Sequence, residues 1–148
     1  MGPIMLALST FRQSDRAVEL AVEKAKEGRL LVIVFVVDVN LARYLVGADL
    51  GLYPKLKEEY QEELLKEHQR LAEEKVNSIA KTADDLGISV RMYISTGRFA
   101  LECLEAVEKE KPGLIITTRS RRPAWVKKLF GSPVDHLIAN SGCPVVEA

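Results

Sequence analysis

The sequence predicts an α/β protein: a single domain built on an open, parallel, five-stranded sheet, doubly wound in the Rossmann-like manner. Three observations carry this. Short apolar runs alternate with longer segments of helical period along the chain. The first two runs, Ile4–Leu8 and Leu30–Val37, are apolar throughout, as strands covered on both faces are. The chain of 148 residues suits one domain with a core of its own.

Taken in order, Ile4–Leu8 is the first strand. Ala17, Val18, Ala21, Val22 and Ala25 then recur at helical spacing, and Gly28 stands where a helix-ending glycine belongs. Leu30–Val37 is the second strand. From Val39 to Tyr53 the period is lost, yet the segment is rich in Leu, Tyr and Val, as a lid or contact surface would be. Pro54 suits the first turn of a helix. Leu56, Tyr60, Leu64, Leu71, Val76, Ile79, Ala83 and Leu86 carry its apolar stripe to Gly87, opposite a solvated Glu/Lys face. Ile88–Ser95 alternates as a third strand, with Gly97 in the turn that follows. Ala100, Leu104 and Val107 share one face of the next helix, which ends before Pro112. Leu114–Thr117 is the fourth strand. Ser132, Pro133 and Asp135 read as cap, first position and acidic first turn of the last helix, which Gly142 closes. Pro144–Glu147 is the fifth strand. Strands joined by helices in this way make right-handed crossovers.

Composition narrows the function. Hydrophobic residues make up 47% and charged residues 28%, with a formal net charge of zero. No global field draws nucleic acid or a membrane surface, so nucleic acid is not an expected partner and any electrostatic partner needs a local patch. No apolar run approaches a membrane span and no secretory pattern opens the chain, so the expected location is the cytoplasm. Abundant Glu and Lys with few Asn, Gln and Cys suit a heat-adapted source. Cys103 and Cys143 fit no metal or redox spacing and read as small buried hydrophobes. His68 falls on the apolar stripe of the long helix and His136 in the first turn of the last one. Neither has a ligand or catalytic partner at motif spacing, so no metal site and no catalytic residue is expected.

The stretch Thr118 to Ser132 holds the main functional signal. A strand, a basic loop and a helix start follow one another there, the order of an anion-binding arrangement. Arg119, Arg121, Arg122, Lys127 and Lys128 form a cluster with no acid inside it. It reads either as a phosphate or nucleotide site or as a solvated basic surface. Gly131-Ser132 offers N–H groups at a helix N-terminus, for capping, for an anion, or for both. If an anion binds, the expected place is this helix start, with Arg119 or Arg121 reaching over it. Trp125 reads as packing or a dimer contact before base stacking. In open sheets, ligands bind at the strands' carboxyl ends where strand order reverses. If the first and fourth strands are central neighbours, that point is flanked by Ser9-Thr10 and Thr117-Thr118.

With these motifs in register, the chain resembles the universal stress protein family along nearly its whole length. The residues that carry the resemblance are the opening strand and turn with Ala17, Gly97, Leu114-Ile115-Ile116, Gly131-Ser132 and Cys143-Pro144-Val145-Val146. The resemblance implies a fold like that of the adenine-nucleotide α-hydrolases and a cytoplasmic stress-related role. It also implies a homodimer, in which the last strand pairs across a two-fold axis. Members that bind ATP carry Gly-x2-Gly-x9-Gly-[Ser/Thr], which falls here on Thr118, Arg121, Gly131 and Ser132. The spacing is kept and the first two glycines are replaced. The family's acid at the end of the first strand falls on Ser9, and its proline after the third-strand glycine on Phe99.

A cradle glycine permits positive φ and close approach to phosphate. Threonine and arginine do not, at about 1–2 kcal/mol for each residue so forced. The expectation is therefore a homodimeric binding or signalling protein that is not a conventional ATP binder and needs no cofactor. The alternative is a member that binds ATP with Mg through a divergent loop, with at most slow ATPase activity. Val36 would then give backbone contacts to adenine, Ser9 and Thr10 would border the site, and Arg119, Arg121, Gly131 and Ser132 would hold the phosphates. Part of the dimer contact is expected from Leu41–Tyr53 or Trp125, since only Pro144 to Ala148 remain for the last strand and Pro144 cannot donate a ladder bond.

Overall fold

The computed structural model describes residues 2–10, 14–38, 54–118 and 133–148, with side chains of the long helix described from residue 62. Along the chain these form β1 (Ile4–Ser9), α1 (Asp15–Ala25), β2 (Leu31–Asp38), α2 (Pro54–Asp85), β3 (Val90–Gly97), α3 (Phe99–Glu110), β4 (Leu114–Thr117), α4 (Pro133–Asn140) and β5 (Val145–Glu147). The five strands are parallel, in the order β3-β2-β1-β4-β5. β1 thus sits at the centre with Ile4 opposite both Leu31 and Leu114. The expectation that the first and fourth strands are neighbours holds. The segment Val39–Tyr53, the loop with Trp125, and Arg119, Arg121, Gly131 and Ser132 lie outside the described residues.

Every residue of β1 and β2 is buried, which is why their sequences show no alternation. Their side chains still divide between two cores. Leu6, Leu8, Ile33, Val37 and Ile116 meet Ala17 and Ala21 of α1 and Val76 and Ile79 of α2 on one face. Met5, Ala7, Val34, Val36 and Ile115 meet Phe99 and Cys103 of α3 and Val134 and Leu137 of α4 on the other. Cys103 is fully buried there and Cys143 half-buried against the same cluster, where burial pushes its thiol pKa up. Both therefore act as small apolar fillers.

The inward face of α2 differs from the expected stripe. Val76, Ile79 and Ala83 do point inward, but Leu71 is 44% exposed and Leu86 49% exposed. The buried line runs instead through Leu65, His68, Ala72, Val76, Ile79 and Ala83, with Leu65 partly buried. Small residues let the helix lie close on β2 and β3, and this tertiary demand outranks the larger hydrophobicity of the leucines. Leu56 and Tyr60 lie among residues whose side chains are not described. His68 is buried as expected, and desolvation lowers its pKa. Lys75 Nζ reaches Asp15 Oδ1 at 3.6 Å, so a point about two-thirds of the way along α2 stands level with the start of α1. With a rise of about 1.5 Å per residue, the part of α2 before Lys75 extends some 30 Å past that level.

Gly28, Gly87 and Gly142 follow α1, α2 and α4 with φ of +85°, +75° and +73°, the left-handed geometry that ends helices. Gly2 serves a different purpose. A Cβ on it would lie 2.6 Å from the Lys111 carbonyl oxygen and 2.8 Å from the Gly113 nitrogen. Arg29 Nε donates to the Gly2 carbonyl at 2.9 Å, which ties the N-terminal segment under the amino edge of the sheet.

At the β3 edge, Glu110 fixes the end of α3. Arg91 Nη1 donates to its carboxylate at 2.8 Å and the Tyr93 hydroxyl donates to the same group. The Glu110 side chain is only 4% exposed, whereas Arg91 is 57% exposed. The bonds from Arg91 and then Tyr93 hold the Glu110 pKa below the ordinary 4.5. A depressed carboxylate pKa stabilises the fold above the unfolded value, and that stability is lost as pH falls through the folded value. Glu110→Gln is therefore expected to flatten the acid limb of the stability curve below about pH 4.5, read by urea melts at stepped pH. Tyr93→Phe is expected to cost about 1 kcal/mol at neutral pH. An unchanged acid limb in Glu110→Gln would assign the acid sensitivity elsewhere.

Candidate functional site

The carboxyl edge of the sheet is organised around the reversal of strand order between β1 and β4. From β1 the chain runs to α1 on one face, and from β4 it runs to α4 on the other. This is the crevice where open α/β sheets take ligands. Four of the expected site residues are described, and all four lie at this edge. Ser9 ends β1 and is 7% exposed, Thr10 follows it, Val36 pairs with Ser9, and Thr118 follows β4.

The hydroxyls at this edge are unequal. Thr117 is fully buried and its Oγ1 donates to the Ala7 carbonyl at 2.9 Å, which pins β4 to β1 just below the crevice. Thr10 Oγ1 and Thr118 Oγ1 are buried with no hydrogen-bond partner. Such groups cost about 1–3 kcal/mol each when left unmade, so two of them at one edge call for an explanation.

The backbone is also distinctive here. Ser9↔Val36 is the last pairing between β1 and β2, and Val37 and Asp38 continue alongside β3 alone. Among the described residues, the β1 side of β2 has no strand partner past Val36. Positive φ outside glycine occurs at Lys111 among the described residues, and Thr118 does not adopt it. At the position of the first cradle glycine, then, the chain follows an ordinary path.

The sequence reading overlooked Asp38. It ends β2, is 9% exposed, and pairs with Gly97. Alternation with Val34 and Val36 puts it on the α3 face. Glu102 of the first turn of α3 lies against Gly97, so close that a Cβ there would meet its Oε1 at 2.5 Å. Acidic groups therefore gather over β2 and β3, while the ends of β1 and β4 carry only hydroxyls. An acid closing the second strand of a dinucleotide-binding sheet was the available signal. The apolar run ends at Val37, one residue before the strand itself does. Phe99, in place of the proline, is the first residue of α3 and 2% exposed.

Among the described residues no group of three or more His, Cys, Asp or Glu could hold a metal ion. Among them too, no helix is long and apolar enough to cross a membrane. His136 is exposed on α4.

Comparison with known proteins agrees with this architecture. The chain is 30% identical over 134 residues to a universal stress protein of Methanocaldococcus jannaschii, covering 90% of this chain and 73% of that protein. Among solved structures it superposes on the universal stress protein UspA of Lactobacillus plantarum with a TM-score of 0.71 at 17% identity, over 98% of this chain and 96% of that one. A universal stress protein of Archaeoglobus fulgidus in complex with dAMP matches with a TM-score of 0.58 at 15% identity, over 99% and 96%. At these identities the two structures show the fold. The model of the universal stress protein family matches residues 1–146, and the chain belongs to that family.

Proposed function

We propose that this chain is a homodimeric nucleotide-binding or signalling protein of its family that holds ATP only weakly, at a Kd above about 100 μM, a binding free energy of about 5.5 kcal/mol or less. The observation that carries this reading is the uncharged end of β1 and β4. Ser9 offers no carboxylate for a magnesium ion or a ribose, and Thr118 keeps an ordinary φ where a triphosphate cradle uses glycine. The β1 side of β2 past Val36, without a strand partner among the described residues, would take the base through backbone groups, and Asp38 would accept a bond from a ribose hydroxyl. The relative bound to dAMP supports a nucleotide with a single phosphate as the ligand of such a crevice. Magnesium, if carried in with ATP, would have Asp38 as a strand-end carboxylate at this edge.

Two measurements test this. Calorimetric titration is expected to give a weaker Kd for MgATP than for AMP, with MgATP above about 100 μM. Low-micromolar MgATP would overturn the reading in favour of a divergent but functional triphosphate loop. Native mass spectrometry of the purified protein is expected to show a dimer, since an isologous pair is the common solution for a domain with open sheet edges. A species near 16.5 kDa would mean a monomer.

A further inference from the structure

α1 begins without a side-chain cap. Its N-cap residue Ser14 makes no capping bond, and the first intrahelical bond runs from the Val18 N–H to the Ser14 carbonyl at 2.8 Å. The N–H groups ahead of Val18 have no acceptor within the helix, and the positive end of its dipole is concentrated there. α1 packs on β1 and β4, so this helix end overhangs the carboxyl ends of those two strands. Thr10 and Thr118 continue the alternation that directs Leu6, Leu8 and Ile116 to the α1 face. They are 8% and 1% exposed, and their hydroxyls are the two buried side-chain groups without a partner among the described residues. The uncapped start of α1 and the two idle hydroxyls thus stand at the same carboxyl ends of β1 and β4.

The surrounding charges fit an anion there. Asp15 lies in the first turn but is 91% exposed, with Lys75 of α2 beside it at 3.6 Å. Arg16 is exposed on the next residue. Ser9 puts no negative charge where the family has an acid. The acids of this edge, Asp38 and Glu102, stand on the opposite face over β2 and β3.

We propose that the N-terminus of α1, with the hydroxyls of Thr10 and Thr118, is a binding site for a phosphate-sized oxyanion. The anion accepts hydrogen bonds from both hydroxyls and from the first-turn N–H groups, in surroundings dry enough to strengthen them. Its source is either free inorganic phosphate or the phosphoryl group of a nucleotide, and in the second case the proposal rests on the nucleotide reading above. On this account Ser9 and Thr118 are not losses from an ATP motif. They relieve repulsion and supply a donor at a different phosphate position.

The test is thermal melting with inorganic phosphate and with AMP at constant ionic strength, on the unmodified protein, Thr10→Val and Thr118→Val. Valine keeps the shape and removes only the donor. Phosphate at ten times its Kd is expected to raise Tm by about 3–6 °C in the unmodified protein. Both valine variants are expected to melt at or above the unmodified protein without phosphate, because an idle buried hydroxyl is gone, and to lose the phosphate shift. Full shifts in the valine variants, or no shift in the unmodified protein, would overturn the site. Calorimetry with AMP separates the two readings. AMP binding that Thr118→Val leaves intact, with the phosphate shift also intact, overturns this site and keeps the nucleotide reading. A threonine-dependent phosphate shift without AMP binding keeps the site, with free phosphate as its source, and overturns the nucleotide reading.

Discussion

Phe99→Ala is expected to lower the stability of the fold by about 3–5 kcal/mol, the largest effect of any single substitution considered. The side chain is 2% exposed and sits in the core between the sheet and α3, beside Cys103 and the inward residues of β1 and β2. Its removal leaves a cavity that β2 cannot move to fill, because β2 is paired on both sides along most of its length. For a chain of this size, such a loss corresponds to a Tm drop of roughly 10 °C. Phe99→Pro is the informative companion. Proline suits the first position of a helix, so the backbone of α3 should accept it. The core loss should nevertheless remain, and both variants should melt together. A loss under about 1 kcal/mol in either urea midpoint would show that the pocket collapses around the smaller residue.

The second large effect concerns affinity. Ser9→Asp combined with Thr118→Gly and Arg121→Gly is expected to tighten MgATP binding at least thirtyfold. Each residue forced into a left-handed cradle costs about 1–2 kcal/mol, so two glycines recover about 2–4 kcal/mol, and tenfold in affinity corresponds to about 1.4 kcal/mol. The aspartate adds a carboxylate for a metal ion or a ribose. Titration calorimetry of the triple variant against the unmodified protein measures the gain. An unchanged Kd would mean that the two positions do not set the path of the phosphate loop. The same triple variant should lose the phosphate-induced rise in Tm, since it removes one hydroxyl and places a negative charge beside the other.

The central strands were legible because burial on both faces leaves a plain sign, an apolar run without alternation. Ile4–Leu8, Leu114–Thr117 and most of β2 could be read directly, and the helix ends followed from Gly28, Gly87 and Gly142. The facing of α2 was legible only in part: Val76, Ile79 and Ala83 are buried as their stripe requires, whereas Leu71 and Leu86 are exposed. Leu64 and Leu71 make one line and Ala72, Val76, Ile79 and Ala83 another, about a hundred degrees apart on the helix, and apolar spacing alone merges the two into one broad stripe. Only the closeness of approach to β2 and β3 selects the second. At the site, Ser9, Thr10 and Thr118 could be found as strand ends. That two of their hydroxyls lack partners could not, because satisfaction depends on geometry that no spacing rule encodes. Asp38 was hidden by a boundary one residue short.

The central position of β1 also bears on how the protein is made. Of the five strands β1 leaves the ribosome first, and β2 can pair with one side of it early. Its other side waits for β4, and the bond from Thr117 to Ala7 joins residues 110 positions apart. At about 5–20 residues per second, the chain from the end of β2 to β4 takes roughly 4–15 s to synthesise. For that interval Ile4–Leu8 presents a bare apolar strand edge, the kind that recruits other nascent chains. Faster elongation between α2 and β4 shortens this exposure and slower elongation prolongs it. The yield of soluble protein should therefore respond to translation rate in that region, although nothing in the finished molecule changes.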